Sequence, residues 1–252
     1  VLRLFSVRGI PVAAHWSLLL AVGLLGWRAG SLAVGVVVAF LLFSSVLLHE
    51  LGHSLVARRF GLPISGIDLT VFGGVAKMAA APRSPKEEVA IAVAGPLVSL
   101  GLAVLGFVGL ATLPALSPVL TFLAWANLGL FLFNLLPALP MDGGRVLRAL
   151  LASRFGFIDG TRKAVDVGAA VAVLIGLYGL WQDPWLVVMA FFIWSLGRAE
   201  LAQVQRSLLL DHMGLSSSDP WARYRRSANV GYAGARQPDA VVLPDGTRVM
   251  LR

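Results

Sequence analysis

His49 and His53, four residues apart with Glu50 between them, are the residues of this sequence best equipped for chemistry. On an α-helix that spacing sets both imidazoles on one face, where they can share a metal ion. Glu50, one step along, can reach a water at that ion as its general base. All three ionisable groups lie in the apolar stretch VLLHELGHSLVA. Ionisable groups in such a setting are costly and mark function. Histidines satisfied by helix–helix hydrogen bonds would leave Glu50 unexplained; a metal site accounts for all three.

Two histidines leave a catalytic zinc site incomplete, since such sites take three protein ligands and a water. The sequence holds four histidines, and besides the motif pair only His15, His212 and the carboxylates can contribute. His212 lies toward the tail and His15 at the start of the first apolar run. Asp142 is the better candidate. It stands in FNLLPALPMDGGRV, where Pro137 and Pro140 interrupt the helix and leave irregular backbone. Irregular backbone near membrane depth must line a cavity or pack inside protein, and Gly143 and Gly144 allow close approach.

The elements that position these residues are membrane spans. Of 252 residues 58% are hydrophobic and 13% charged, and the mean hydropathy is +0.81. Soluble domains carry about 25% charged residues, and a core of this size could not hide the apolar excess. This excludes a disordered chain, a secreted disulfide scaffold and an ordinary soluble enzyme. There is no cysteine, hence no thiol nucleophile or thiolate ligand.

The expected fold is an all-α integral membrane protein with about six spans, near 12–28, 31–57, 88–113, 118–137, 164–182 and 184–205. The first run follows Arg3 and Arg8 like a signal peptide, but no small-residue cleavage site closes it and it is read as a retained helix. Between the second and third spans, residues 62–82 alternate through Ile67, Leu69, Val71 and Val75. This predicts a small membrane-associated β-hairpin turning at Gly73-Gly74. Residues 1–206 form the transmembrane domain, with the motifs inside a core of 9–155. Residues 207–252 form a short basic cytosolic tail with a C-terminal hairpin around Pro244-Asp245-Gly246.

Charge placement gives orientation. The net charge is +8, and of 21 Lys and Arg only Arg28 falls on the outer side if both termini are cytoplasmic. Basic tail residues then face anionic headgroups, and neither nucleic acid nor nucleotide is an expected partner. Arg58 and Arg59 mark the cytosolic interface, so His49 lies roughly 13 Å deeper, at 1.5 Å per residue. The active site faces the cytosolic leaflet, and a substrate at that depth is already in the membrane.

At this point the motifs resemble the site-2 protease family of intramembrane zinc metalloproteases. The resemblance rests on HELGH, on FGGVA in the hairpin, on AGP in the third span and on NLLPALPMDGGRV after the fourth. It runs collinearly from Gly9-Ile10-Pro11 through His15-Trp16 to Arg148. It implies one Zn2+ per chain held by His49, His53 and Asp142, with Glu50 as catalytic base. It further implies that Asn134 positions substrate or the oxyanion, and that Gly73 and Gly74 belong to the membrane-embedded β element. Gly95 and Pro96 look like the family's third-helix small-residue motif, with Ser99 where asparagine is common. No PDZ-like insertion is visible and the tail is shorter than a paired CBS module, so the resemblance is to a short form.

The expected reaction is hydrolysis of a peptide bond within a transmembrane segment of a single-span membrane protein, in regulated intramembrane proteolysis. The hairpin edge would pair with the locally unwound substrate. A metal transporter using the same ligands is one alternative, although no internal repeat is evident. A non-catalytic family member that binds membrane partners is another.

Overall fold

The computed structural model describes residues 1–71, 73–78, 81–212, 240–242 and 248–250. The chain divides into two compact units, residues 1–79 with 93–133, and residues 80–92 with 134–252.

The first unit begins with a β-hairpin, β1 (Leu2–Val7) and β2 (Ile10–Ala14), joined through Arg8 and Gly9. Both turn residues have positive φ, +50° and +80°, the backbone that a two-residue hairpin turn requires. Two helices follow, α1 (Leu18–Arg28) and α2 (Leu32–Arg59). The chain then returns to the sheet as β3 (Ile64–Thr70), parallel to β2, and β4 (Gly73–Met78), antiparallel to β3. The strand order is β1-β2-β3-β4, which leaves β4 at an edge. Alternate residues Ile10, Val12, Ile67 and Leu69 pack with Val46 and Leu51 of α2 into one buried cluster, the period-2 pattern of a half-buried sheet.

Helix pairing in this unit uses small residues. A Cβ on Gly35 of α2 would stand 2.4 Å from the Gly26 Cα of α1. One on Gly106 of α3 (Pro85–Thr112) would stand 2.9 Å from Ala124 of α4 (Ser117–Asn134). With lipid outside, close backbone approach replaces hydrophobic burial as the source of helix association. A polar contact adds to it: Asn127 of α4, fully buried, donates through Nδ2 to Ser45 Oγ at 3.0 Å and to the Leu123 carbonyl at 2.9 Å. Ser45 is one turn before His49, so α4 is held against the helix that carries the motif.

The second unit contains α5 (Asp142–Phe155), α6 (Phe157–Gln182) and α7 (Pro184–His212). Gly156, at φ +83°, makes the break between α5 and α6. Asp183 makes the next, its carboxylate accepting from the Trp185 amide at 2.9 Å. Arg148 of α5 ties the unit together. Its Nε donates to Glu88 Oε1 at 2.8 Å, Nη2 reaches the same oxygen, and Nη1 is 2.5 Å from Glu200 Oε1. Arg148 and Glu88 are both 4% exposed. Removing one partner from a buried ion cluster strands the others, at a cost of about 3–5 kcal/mol. Arg148→Met is therefore expected to lower the thermal midpoint of the purified protein sharply, more than Arg154→Met at the end of the same helix does.

Later in the second unit, Ala240–Val242 pairs antiparallel with Arg248–Met250. The Pro244-Asp245-Gly246 turn expected between them lies outside the described residues, as does most of the tail.

Among the described residues five helices are long and apolar enough to cross a membrane: α2, α3, α4 with the short turn before it, α6 and α7. Their surfaces carry the apolar side chains that water would reject, among them Phe40 at 70% and Trp181 at 88% exposure. The sixth expected span, 12–28, takes another form. Its first residues are strand β2, His15 to Ser17 form a turn, and α1 has 11 residues, about 16 Å of helix. Pairing of β2 with strands on both sides draws those residues into the sheet. The hairpin expectation needs two amendments. It belongs to a four-stranded sheet, and Thr70 pairs with Gly73, so both glycines lie within β4 and not at the turn.

Candidate metal centre

Ser31 opens α2, its Oγ accepting from the Val34 amide, and an unbroken apolar run carries the helix through the motif to Arg58 and Arg59. His49 and His53 are 3% and 5% exposed. Their Nε2 atoms stand 3.1 Å apart, with the rings near perpendicular at 77°. Two nitrogens each about 2.0 Å from one tetrahedral ion stand about 3.3 Å apart, so the pair fits a shared metal. On the outer side of the pair, Ser99 Oγ lies 2.9 Å from His49 Nδ1.

Room for an ion comes from Gly95 of α3. A Cβ there would fall 2.1 Å from His53 Nε2 and 2.7 Å from His49 Nε2. Only a residue without a side chain leaves that space open. The donor chemistry, two buried imidazoles aimed at one point, and the cradle that a Cβ would fill both fit a zinc ion.

Glu50 is set from the other side by the sheet. The Ala76 amide of β4 donates to Glu50 Oε2 at 3.2 Å. Gly74, two residues earlier, lies so close that a Cβ would meet Glu50 Cγ at 2.5 Å and Val46 Cγ1 at 3.0 Å. Gly73, at φ +125°, starts the strand, and its carbonyl accepts from Thr70 Oγ1 at 3.1 Å. In an antiparallel ladder alternate residues turn their polar groups outward. The Ala76 amide that meets Glu50 therefore points away from β3, on the outer edge of β4, and Gly74 turns to the same side.

In the second unit Asp142 begins α5 and is 7% exposed. The two glycines after it explain how the helix starts in so little space. A Cβ on Gly143 would stand 2.2 Å from the Leu135 carbonyl oxygen, and one on Gly144 would stand 2.4 Å from the Ala138 carbonyl carbon. The α5 N-terminus thus nests in the Pro-rich segment 135–140. Asn134, the last residue of α4, is partly exposed.

His15, weighed as an alternative ligand, is committed elsewhere. Its Nδ1 accepts from the Ser17 amide at 3.3 Å and lies 2.9 Å from Ser17 Oγ, an oxygen that accepts from the Val71 amide. These bonds fix the turn between β2 and α1. The side chain of His212 lies outside the described residues. Of the residues at the centre, Ala76 is not singled out by the sequence, and Gly95 and Ser99 enter there only through the resemblance of the third span to the family's small-residue motif, with no role at the metal.

The family model of Peptidase family M50 matches residues 37–116 and 114–175. The chain is 39% identical over 203 residues to zinc metalloprotease MJ0392 of Methanocaldococcus jannaschii, covering 77% of this chain and 58% of that protein. It is 33% identical over 232 residues to the putative zinc metalloprotease Rip3 of Mycobacterium tuberculosis, covering 81% of this chain and 59% of that one. The chain thus spans somewhat under two thirds of these relatives. Among solved structures, the site-2 protease from Methanocaldococcus jannaschii superposes with a TM-score of 0.60 at 34% identity, over 79% of this chain and 94% of that one. The chain belongs to Peptidase family M50.

Proposed function

We propose that the protein is an intramembrane zinc metalloprotease that hydrolyses a peptide bond inside a transmembrane segment of a membrane protein. The observation that carries this reading is the pair of buried Nε2 atoms 3.1 Å apart within a spanning helix, with Glu50 next to His49 on that helix. His49, His53 and Asp142 are the three zinc ligands, one ion per chain. All three are buried, as groups that bind metal in an apolar setting must be. When bound, zinc supplies Lewis acidity, which makes water a competent nucleophile near neutral pH and draws electron density from a carbonyl.

The chain's own residues do the rest. Glu50 accepts the proton of the attacking water and returns it to the leaving amide nitrogen. The Ala76 amide holds the carboxylate oriented for both transfers. A helix hides its amides in internal hydrogen bonds, so the substrate must unwind near the cut. The outer edge of β4, the strand that holds Gly73 and Gly74 beside Glu50, offers that extended segment a strand to pair with. Asn134 positions substrate or the developing oxyanion.

The substrate is a single-span protein and the physiological setting is regulated intramembrane proteolysis. Residues 1–206 form the transmembrane domain and residues 207–252 a cytosolic tail. Both termini face the cytoplasm, and the active site lies toward the cytosolic leaflet. The basic residues at the end of α2 support that orientation. So does the sheet: β4 meets α2 at Glu50, nine residues before Arg59, about 14 Å along the helix.

Zinc stoichiometry tests the ligand set. Purified wild-type protein is expected to hold one zinc per chain, and His49→Ala, His53→Ala and Asp142→Ala each well under a tenth of that after dialysis against a mild chelator. Full zinc retention in Asp142→Ala would move the third ligand elsewhere.

A further inference from the structure

We propose that Ser99 is a positioning residue for the metal centre, fixing the tautomer and ring orientation of His49. The inference rests on the reading of His49 and His53 as zinc ligands and adds to it a residue that does not touch the ion.

The argument starts from the two nitrogens of an imidazole. A neutral histidine carries one proton, and whichever nitrogen lacks it can bind metal. His49 turns Nε2 toward His53 Nε2, at 3.1 Å, and Nδ1 toward Ser99 Oγ, at 2.9 Å. With Nε2 reserved for the ion, Nδ1 carries the proton and the serine oxygen accepts it. Ser99 is fully buried and His49 nearly so, so water does not compete for the bond. Metal-bound histidines generally use such an acceptor to lock the ring and raise its basicity.

The helix that supplies Ser99 also supplies the cavity. Gly95 and Ser99 are one turn apart on the same face of α3. Gly95 leaves the volume in front of the two Nε2 atoms open, and Ser99 aims one of the rings at it. Gly52 completes the fit, since a Cβ there would stand 2.9 Å from the Ala94 carbonyl oxygen and from Val98 Cγ2. Backbones of α2 and α3 therefore approach closely enough for a side chain as short as serine to reach the imidazole. On this reading the small-residue seam between the helices sets metal affinity as well as packing.

The test is zinc affinity of the purified full chain, by competition with a chromophoric chelator, with the thermal midpoint of zinc-free protein as the control for folding. Ser99→Ala is expected to raise the zinc dissociation constant about 10- to 100-fold while lowering the zinc-free midpoint by no more than the loss of one buried hydrogen bond. Ser99→Asn, whose side-chain carbonyl can accept the same proton, is expected to recover most of the loss. Wild-type affinity in Ser99→Ala, with zinc lost from His49→Ala, overturns the role of Ser99 and leaves the ligand assignment standing. Zinc retained at full affinity in His49→Ala overturns both. A loss in Ser99→Ala that is matched by a lower zinc-free midpoint and not recovered by asparagine shows a packing role only and also overturns the proposal.

Discussion

Glu50→Gln is expected to keep its full zinc complement and lose peptide cleavage. The amide preserves side-chain length and an oxygen able to accept from the Ala76 amide, so the β4 contact survives. What disappears is the capacity to take a proton from water and hand it to the leaving nitrogen. General acid–base groups contribute about 10²–10⁴-fold. In the proposed mechanism one group serves both transfers, so a fall toward the upper end of that range is expected. Zinc content and fragment yield, measured on the same preparation, check it. Cleavage within tenfold of wild type would remove Glu50 from the mechanism. Loss of zinc along with activity would show that the variant had disturbed the site more widely.

Substitution of Gly95 produces the second large effect, by a different route. Even alanine places a methyl carbon 2.1 Å from His53 Nε2 and 2.7 Å from His49 Nε2, well inside contact distance. Either an imidazole must swing away or α3 must retreat from α2, where Gly52 already packs against Ala94 at backbone distance. Gly95→Val is expected to reduce bound zinc to a small fraction of one per chain and abolish cleavage together with it. Gly101→Val, on the same helix at a position with open space around it, is the control and should keep both. Metal analysis of the two purified variants separates a blocked centre from a general failure of the helix. A Gly95→Val protein with a full zinc complement would contradict the cradle geometry.

Both effects depend on features that differ in how far the sequence reveals them. The i, i+4 histidines and the intervening glutamate are visible because three costly groups in an apolar helix demand one explanation. The helical register then fixes their geometry without further information. The interruption at Pro137 and Pro140 is similarly legible from backbone chemistry, although α4 ends at Asn134, three residues short of the expected span, and α5 begins at Asp142. Near the N-terminus the helix starts at Leu18 and not near residue 12, for a physical reason. IPVAAHWSLLLAVGLL is apolar but for His15 and Ser17, and hydropathy alone does not tell a buried strand from the start of a helix. The choice is made by β1 and β3, which pair with β2 from either side.

The glycines of β4 illustrate the other limit. A Gly-Gly pair between apolar runs reads as a turn, yet Gly74 is needed where it is because Glu50 leaves no room for a Cβ. That constraint comes from a residue 24 positions earlier and exists only in the folded chain. Ser99 and Ala76 are of the same kind. One supplies a hydroxyl and the other a main-chain amide, groups so common that only their distances to His49 and Glu50 single them out.

The most direct test of intramembrane metalloproteolysis is to map the cut in a single-span substrate. Wild-type protein and a single-span test protein are reconstituted in lipid, with and without a zinc chelator, and the fragments are weighed by mass spectrometry. The expected result is a cut inside the apolar span, toward its cytosolic end, abolished by the chelator and restored by added zinc. A cut confined to the water-exposed flanks, or one indifferent to the chelator, would contradict it.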